Sequence, residues 1–292
     1  MERNKRNVSF ERKYNLTGWA FLLPAAILIF VFCFYPMAQA IMLSFKKAGG
    51  VSAGLANYAR IFQDKTFQQC LFNTFFYFLV QVPIMLILAL ILAQLLNSPK
   101  IKCKGLFRTL IFIPCATSLV SYSMIFKSLF APDGIVNRVL MAVCLNAVSW
   151  FESPWPARWV IVIALIWRWT GYNMVFYLAG LQNIEYSVYE AAKIDGANGW
   201  KTFWKITVPL LKPTIIMTFI MSINGTLQLF DESVNLTKGG PANTTITMSH
   251  YVYNTCFINV PNFGYAAAMS FIIFIMVAIL AFINLKVGDT RD

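Results

Sequence analysis

Charged residues are scarce in this sequence. They make up 12% of its 292 residues, whereas hydrophobic residues make up 58%. A soluble domain usually carries about 25% charged residues, so too few charges are present here to cover a surface that faces water. The mean hydropathy of +0.62 agrees with this view. We therefore predict that lipid is the solvent for most of the chain, and at this length one membrane domain is sufficient.

Histidine and closely paired cysteines are also lacking. His250 is the only histidine, and the six cysteines include no C-x-x-C pair. This composition argues against a Cys/His metal site, and we predict neither a metal nor another cofactor. Only twelve acidic residues are present, and they form no cluster with histidine or cysteine. A membrane-embedded enzyme, which would need such a cluster facing a cavity, is therefore disfavoured.

The sequence contains no G-x-x-x-x-G-K-[ST] phosphate-binding loop. The stretch Gly199-Trp200-Lys201-Thr202 has the wrong spacing and is instead typical of the start of a helix. We therefore expect a chain without its own ATPase site. If it drives active transport, it must take its energy from a partner through a contact surface.

Six apolar runs are long enough to cross a bilayer, whose hydrocarbon core of about 30 Å requires roughly 20 helical residues. Runs of this length far exceed the strands of a membrane barrel. We therefore predict an all-α, polytopic bundle of six transmembrane helices. No internal repeat is visible, so an inverted-repeat secondary transporter gains no support. The predicted spans are 19–43, 73–96, 110–130, 159–181, 214–230 and 265–285.

The first apolar run admits a second interpretation. Five basic residues precede it, and it ends near Ala38-Gln39-Ala40, which resembles a signal peptide with its cleavage site. The run is long for a signal peptide, and five further spans follow it. Both features favour a first membrane span.

The formal net charge of +12 raises the question of nucleic-acid binding. The basic residues stand in short clusters between apolar runs, however, which indicates membrane topology rather than a nucleic-acid partner. Fifteen of them fall on one side of the predicted bundle and seven on the other, and the richer side is expected to be cytoplasmic. Both termini are then cytoplasmic, with segment 1–18 before the transmembrane domain 19–285 and the tail 286–292 after it. The richer side holds Arg3, Lys5, Arg6, Arg12, Lys13, Lys100, Lys102, Lys104, Arg108, Lys193, Lys201, Lys205, Lys212, Lys286 and Arg291.

The most specific pattern lies in the predicted cytoplasmic loop 182–212. Its composition predicts two short helices. The first covers about 187–194 and stops at Gly196, which permits a sharp turn. The second begins after Asn198, an N-cap residue, and ends before Pro209.

The first helix of this loop offers a small-residue surface, because Ala191 and Ala192 would let a partner's backbone approach closely. The second helix carries a mostly apolar stripe that must be covered. Local physics alone is equally compatible with a hairpin that lies on the inner membrane surface. The stripe consists of Trp200, Phe203, Trp204 and Thr207.

The run Tyr189-Glu190-Ala191-Ala192-Lys193-Ile194-Asp195-Gly196-Ala197, with the later Val208-Pro209, resembles the signature cytoplasmic loop of binding-protein-dependent importer permeases. It has the form typical of sugar permeases. In that family the loop forms a coupling helix that lies in a cleft of the ATP-hydrolysing subunit. The resemblance therefore implies contact with an ATPase by Glu190, Ala191, Ala192, Asp195, Gly196 and Pro209.

The resemblance extends over nearly the whole chain. Its opening is similar to the first of the two unlike permeases of such systems, with Leu23-Pro24-Ala25, Tyr35-Pro36 and Ser44-Phe45. Further similar stretches are Gly54-Leu55-Ala56-Asn57-Tyr58, Asn73-Thr74, Gly105-Leu106-Phe107-Arg108, Gly171-Tyr172, Leu178-Ala179-Gly180-Leu181-Gln182, Phe230-Asp231 and Leu236-Thr237-Lys238-Gly239-Gly240-Pro241.

The resemblance implies a multi-pass permease of the bacterial cytoplasmic membrane. It would form a heterodimer with a second permease and work with an ABC ATPase dimer and an extracytoplasmic solute-binding protein. The stretch from Leu236 to Pro241 is either a simple turn or part of the surface that meets the binding protein. The family form implies a mono- or oligosaccharide as substrate, with glycerol phosphate or another polyol as the alternative.

Polar residues inside the spans are candidates for the substrate path. Arg168 falls near the middle of predicted span four, where ionisable residues are costly. It lines the path, pairs with a carboxylate of the partner permease, or marks a span end that lies elsewhere; if it lines the path, an anionic sugar derivative is favoured. The amides and hydroxyls can instead hold helices together. The candidates are Arg168, Tyr172, Asn173, Asn224, Gln228 and Asp231, with Gln81, Thr226 and Phe230 as further ones.

A secondary transporter or channel that works alone is the main alternative to the importer. It lacks the expected repeat symmetry, and it leaves the alanine–glycine hairpin unexplained.

Overall fold

The computed structural model describes residues 17–47, 50–98 and 100–288. Within these ranges the chain is helical, as predicted, and its only strand-like pairing is an isolated bridge between Lys46 and Ser52. Segment 1–18 is thus described only from Thr17, and the tail 286–292 only as far as Gly288. Six residues of the charge count lie outside the described residues, namely Arg3, Lys5, Arg6, Arg12, Lys13 and Arg291.

The helices follow one another along the chain. They are α1 Thr17–Ser44, α2 Ala56–Gln63, α3 Lys65–Asn97, α4 Lys104–Ala116, α5 Leu119–Leu129, α6 Ile135–Ala142, α7 Pro154–Gln182, α8 Tyr186–Ile194, α9 Gly199–Leu210, α10 Lys212–Leu227, α11 Met248–Tyr253 and α12 Phe263–Gly288. The longest connection, residues 228–247 between α10 and α11, contains a π turn over Ser233–Thr237.

Four of these helices, α1, α3, α7 and α12, are each long and apolar enough to cross a membrane. Two further candidates are bent pairs: α4 and α5 meet at 99°, and α9 and α10 meet at 67°. Counting each pair as one span is consistent with the six predicted spans.

The bend inside predicted span three was not predicted. Pro114 lies in the last turn of α4, which ends at Ala116, and the chain is extended at Thr117 and Ser118. The Ser118 hydroxyl then accepts a hydrogen bond of 3.2 Å from the backbone N–H of Ser121 and so caps α5. The run is apolar throughout, so hydropathy alone does not reveal the break between Pro114 and Ser118.

Helices α3 and α7 form the centre of the bundle. Apolar side chains buried between and around them include Tyr77, Met85, Val162 and Met174. On another face of α7, a Cβ atom at Gly171 would overlap the backbone carbonyl of Ile111 in α4. The glycine therefore lets two helix backbones approach closely at mid-bundle.

The connection between α10 and α11 is fixed to this bundle by a buried polar chain. Arg158 Nε in α7 donates to Asn73 Oδ1 in α3 at 3.0 Å, and Asn73 Nδ2 donates to the carbonyl of Ile246 at 2.9 Å. Arg158 is one of the seven basic residues on the less basic side of the predicted bundle, and it is buried. The segment that follows α10 is thus held in place against α3 and α7.

Helix α1 lies apart from the core. None of the residues in its most apolar window is buried, and it contacts the bundle mainly along α12. Such an exposed apolar helix requires lipid or another membrane protein around it.

Candidate functional site

A cavity of about 430 Å³, lined by both polar and apolar side chains, lies between α3, α7, α10 and the segment that follows α10. All six residues predicted for the substrate path line this cavity. The further candidates Gln81, Thr226 and Phe230 line it as well. The six are Arg168, Tyr172, Asn173, Asn224, Gln228 and Asp231.

Arg168 lies at the midpoint of α7, with fourteen helical residues on each side. Its residue is only 8% exposed, and its Nη1 atom lies 3.8 Å from Glu232 Oε1. The helix therefore does not end near Arg168. The pairing carboxylate belongs to this chain, whereas the prediction considered one from a partner.

Glu232 was missed by the sequence analysis, although its neighbour Asp231 was named. The signal was present in two features: an acidic pair directly follows predicted span five, and a cation at mid-membrane requires a carboxylate nearby. Its residue is 4% exposed. The carboxylate reaches Arg168 because the chain turns back into the bundle after Leu227.

The position of Glu232 is stabilised by the residues that follow it. The hydroxyl of Ser233 donates to the carbonyl of Thr245 at 2.9 Å and lies 2.8 Å from His250 Nδ1. Thr237 and Thr245 form a further hydroxyl contact of 2.7 Å. This network explains the role of the chain's one histidine as a buried hydrogen-bonding group. Burial lowers the pKa of His250 and favours its neutral form.

Amides and hydroxyls form another wall of the cavity. Thr226 in α10 donates to Gln81 Oε1 in α3 at 3.2 Å. Asn173 Nδ2 in α7 donates to the carbonyl of Trp169 at 3.0 Å and approaches the Met85 sulfur at 3.6 Å. These contacts join three helices, so the same groups both pack the bundle and face the cavity.

Aromatic rings and exposed amides complete the site. Trp169 and Tyr172 meet edge to face with centroids 5.7 Å apart. Asn224, in the last turn of α10, and Gln228, which directly follows the helix, are both exposed. Apolar ring faces beside hydrogen-bonding amides suit a ligand that has both hydroxyls and apolar ring faces.

The predicted cytoplasmic hairpin is present as helices α8 and α9. Gly196 lies between them with φ of +73°, a conformation that favours glycine. The side chain of Asn198 caps α9 by accepting a hydrogen bond of 2.8 Å from the N–H of Lys201. Both features agree with the sequence analysis.

Two details of the hairpin differ from the prediction. Ala192 is only 6% exposed, so its side chain packs inside the chain and does not face a partner. Helix α9 also continues through Pro209 to Leu210, although it was predicted to end before the proline. A π turn over Phe203–Thr207 precedes the proline, and this local widening accommodates a residue without an N–H group.

The remaining hairpin residues form an exposed surface. Glu190, Ala191, Asp195, Gly196 and Pro209 are all exposed. The apolar stripe is only partly covered, with Trp200 72% exposed and packed edge to face against Trp204 at 5.8 Å. A surface of this kind is suited to contact with another protein or with the membrane interface.

The chain was compared with known proteins. A family model described as "Binding-protein-dependent transport system inner membrane component" matches residues 50–289. The lactose transport system permease protein LacF of Rhizobium radiobacter is 50% identical over 97% of this chain and 97% of its own length. The arabinooligosaccharides transport system permease protein AraP of Halalkalibacterium halodurans is 32% identical over 97% of this chain and 91% of its own.

The fold has a counterpart among solved structures. A chain of a bacterial ABC transporter involved in the import of the acidic polysaccharide alginate aligns with a TM-score of 0.85, over 98% of this chain and 99% of that chain. The two are 21% identical, so this likeness concerns the fold. The family match over most of its length and the 50% identical relative show that the chain belongs to the inner-membrane components of binding-protein-dependent transport systems.

Proposed function

We propose that this chain is the permease subunit of an ATP-driven importer and that a sugar, in particular a di- or oligosaccharide, passes through its cavity. The observation that supports this most directly is the cavity itself. It combines amides, hydroxyls and aromatic rings between three membrane helices, which is the chemistry that binds sugar hydroxyls and ring faces. The lactose and arabinooligosaccharide systems named for its relatives support the same substrate class.

The cavity requires a second protein to close it. Asn224 and Gln228 are exposed at the end of α10, and the apolar face of α1 is uncovered. A second, unlike permease placed against these surfaces would complete the path as a heterodimer. A solute-binding protein would deliver the sugar from outside, consistent with the description of the family.

The hairpin of α8 and α9 is the proposed contact with an ABC ATPase dimer. Its exposed residues Glu190, Ala191, Asp195, Gly196 and Pro209 would form the docking surface, with Ala192 supporting it from inside. ATP hydrolysis in the partner would move this surface and so open the cavity to one side of the membrane after the other. The chain itself would act without a catalytic site.

The proposed location is the bacterial cytoplasmic membrane, with both termini in the cytoplasm. The lysines and arginines near the hairpin and between α3 and α4 support this orientation. In this orientation the hairpin would lie on the side where ATP is available.

Co-purification and uptake test the proposal. The chain, expressed with its partner permease, ATPase and binding-protein subunits, should retain the ATPase through detergent purification. Proteoliposomes of the complex should accumulate radiolabelled lactose or an arabinooligosaccharide only when ATP and the binding protein are supplied. Accumulation by the chain alone, without nucleotide, would support the secondary transporter instead.

A further inference from the structure

The charges that line the cavity do not favour an anion. One cation, Arg168, and two carboxylates, Asp231 and Glu232, are among its lining residues. Arg168 Nη1 and Glu232 Oε1 are 3.8 Å apart, and both side chains are about nine-tenths buried or more. The positive charge of the arginine is therefore balanced within the chain before any ligand enters.

The guanidinium of Arg168 nevertheless keeps hydrogen-bonding capacity. Its Nε and Nη1 atoms are buried and have no hydrogen-bond partner among the described residues, since 3.8 Å is too long for a hydrogen bond to Glu232. The rings of Tyr122 and Trp169 flank it, with the guanidinium carbon 5.1 Å and 5.5 Å from their centroids. The group is thus held at the cavity with unsatisfied donors but with its charge already compensated.

A buried donor without a partner is costly. An uncharged acceptor such as a sugar hydroxyl or ring oxygen could satisfy these donors once the side chains that cover them move, and it would not disturb the ion pair. An anionic group would bring a further negative charge beside Glu232, whose carboxylate already balances Arg168, and it would lose its hydration there.

We propose that Arg168 and Glu232 form a charge-compensated pair that selects uncharged sugars over anionic sugar derivatives, with Glu232 as the specificity-determining residue. This inference rests on the proposed function, because it assumes that a sugar enters the cavity. It also replaces the expectation from sequence that an arginine in the path favours an anion. That expectation considered Arg168 without Glu232.

Asp231 provides a matched control within the same cavity. It is the chain neighbour of Glu232, lines the cavity and carries the same charge. It is half-buried, and no ion pair with Arg168 is found for it in the described part of the chain. If the effect depends on the local pair, Glu232 and Asp231 will differ; if it depends only on net charge, they will behave alike.

The experiment measures binding of two probes that differ by one negative charge, lactose and lactose 3′-sulfate. The complete importer complex is placed in lipid nanodiscs, and each probe displaces tritiated lactose. The ratio of the two dissociation constants is the readout, because a merely structural role would not change it. The wild-type complex should prefer lactose by about tenfold or more.

Three variants test the pair. Glu232→Gln should reduce the preference for lactose by about tenfold, because Arg168 is then uncompensated, whereas Asp231→Asn should change it by less than about threefold. The double variant Arg168→Gln/Glu232→Gln should again prefer lactose, with a ratio of dissociation constants within about threefold of the wild-type ratio. If Glu232→Gln fails to fold because it leaves a buried arginine unpaired, the double variant, which has no such arginine, will still fold and can be measured.

The outcomes separate the two proposals. An unchanged ratio in Glu232→Gln, or equal changes in Glu232→Gln and Asp231→Asn, overturns the selectivity inference while lactose binding by the wild type still supports a sugar path. No displaceable lactose in the wild-type complex overturns the proposed sugar path, and the inference with it.

Discussion

The carboxylate of Asp64 accepts a hydrogen bond of 2.6 Å from the hydroxyl of Tyr265 and so joins the start of α3 to the start of α12. A second hydroxyl, from Tyr251 in α11, donates to the same oxygen at 2.7 Å. The other oxygen caps α3 through the N–H groups of Thr66 and Phe67. Burial alone would raise the pKa of Asp64, but these hydrogen bonds together lower it.

Replacement of Asp64 should weaken the junction of these three helices. Asp64→Ala removes the cap and both tyrosine contacts, and we expect it to destabilise the protein by about 1–2 kcal/mol. Asp64→Asn keeps an oxygen that can cap α3, so its loss should be smaller. Thermal unfolding followed by tryptophan fluorescence in detergent measures both. Wild-type midpoints in both variants would show that these hydrogen bonds contribute nothing.

The close approach of α7 to α4 depends on Gly171. Gly171→Ala places a methyl group against the carbonyl of Ile111, and we expect a loss of about 1–3 kcal/mol because the helices must separate. Gly105→Ala is the matched control, since no atom lies within 4 Å of its added methyl group. The yield and thermal midpoint of monodisperse protein report the difference. Equal behaviour of the two variants would contradict the close packing of α7 against α4 at Gly171.

The hairpin offers two glycines for the same substitution. Gly196→Pro conflicts with a φ of +73° and removes the N–H that bonds to the Lys193 carbonyl at 3.2 Å. Gly199→Pro falls at the first residue of α9, where proline is favoured. We expect Gly196→Pro to abolish ATP-dependent uptake while membrane insertion continues.

Gly199→Pro should retain uptake, and co-purification of the ATPase should follow the same order. The double variant Glu190→Lys/Ala191→Trp, on the exposed face of α8, should also abolish uptake. Normal pull-down and uptake in Gly196→Pro and in this double variant would argue strongly against the docking role.

The single histidine predicts a pH dependence. Burial lowers the folded-state pKa of His250, so the unfolded chain binds a proton more readily. Its contribution to stability is therefore complete above the unfolded pKa of about 6.5 and decreases as the pH falls below that value. Thermal midpoints between pH 7.5 and 5.5 should fall less in His250→Gln than in the wild type. If the thermal midpoints of both proteins fall equally with pH, titratable groups other than His250 cause the pH dependence.

Much of this molecule could be predicted from its sequence. The apolar runs predicted a helical membrane bundle, because lipid cannot satisfy exposed backbone groups and helices satisfy them internally. Gly196 and Asn198 predicted the turn and cap of the hairpin, since both act through neighbouring residues. The six path residues were named because polar groups are rare in the spans, and they line one cavity.

Other features depend on contacts between distant residues. The burial of Ala192 and the partner of Arg168 follow from packing between segments, which no local pattern encodes. Helix α5 begins anew after Ser118, and α9 continues past Pro209. At both places the hydrogen bonding of a single turn outweighs the helix propensity of the surrounding sequence.

The sequence by itself determined the solvent, the helical architecture and the hairpin, because hydropathy, glycine conformation and capping act over a few neighbouring residues. Only the tertiary structure decided that Glu232, 64 positions after Arg168, compensates its charge. Coulomb energy depends on distance in space and on burial, and both are set by the way the chain returns to the bundle after α10.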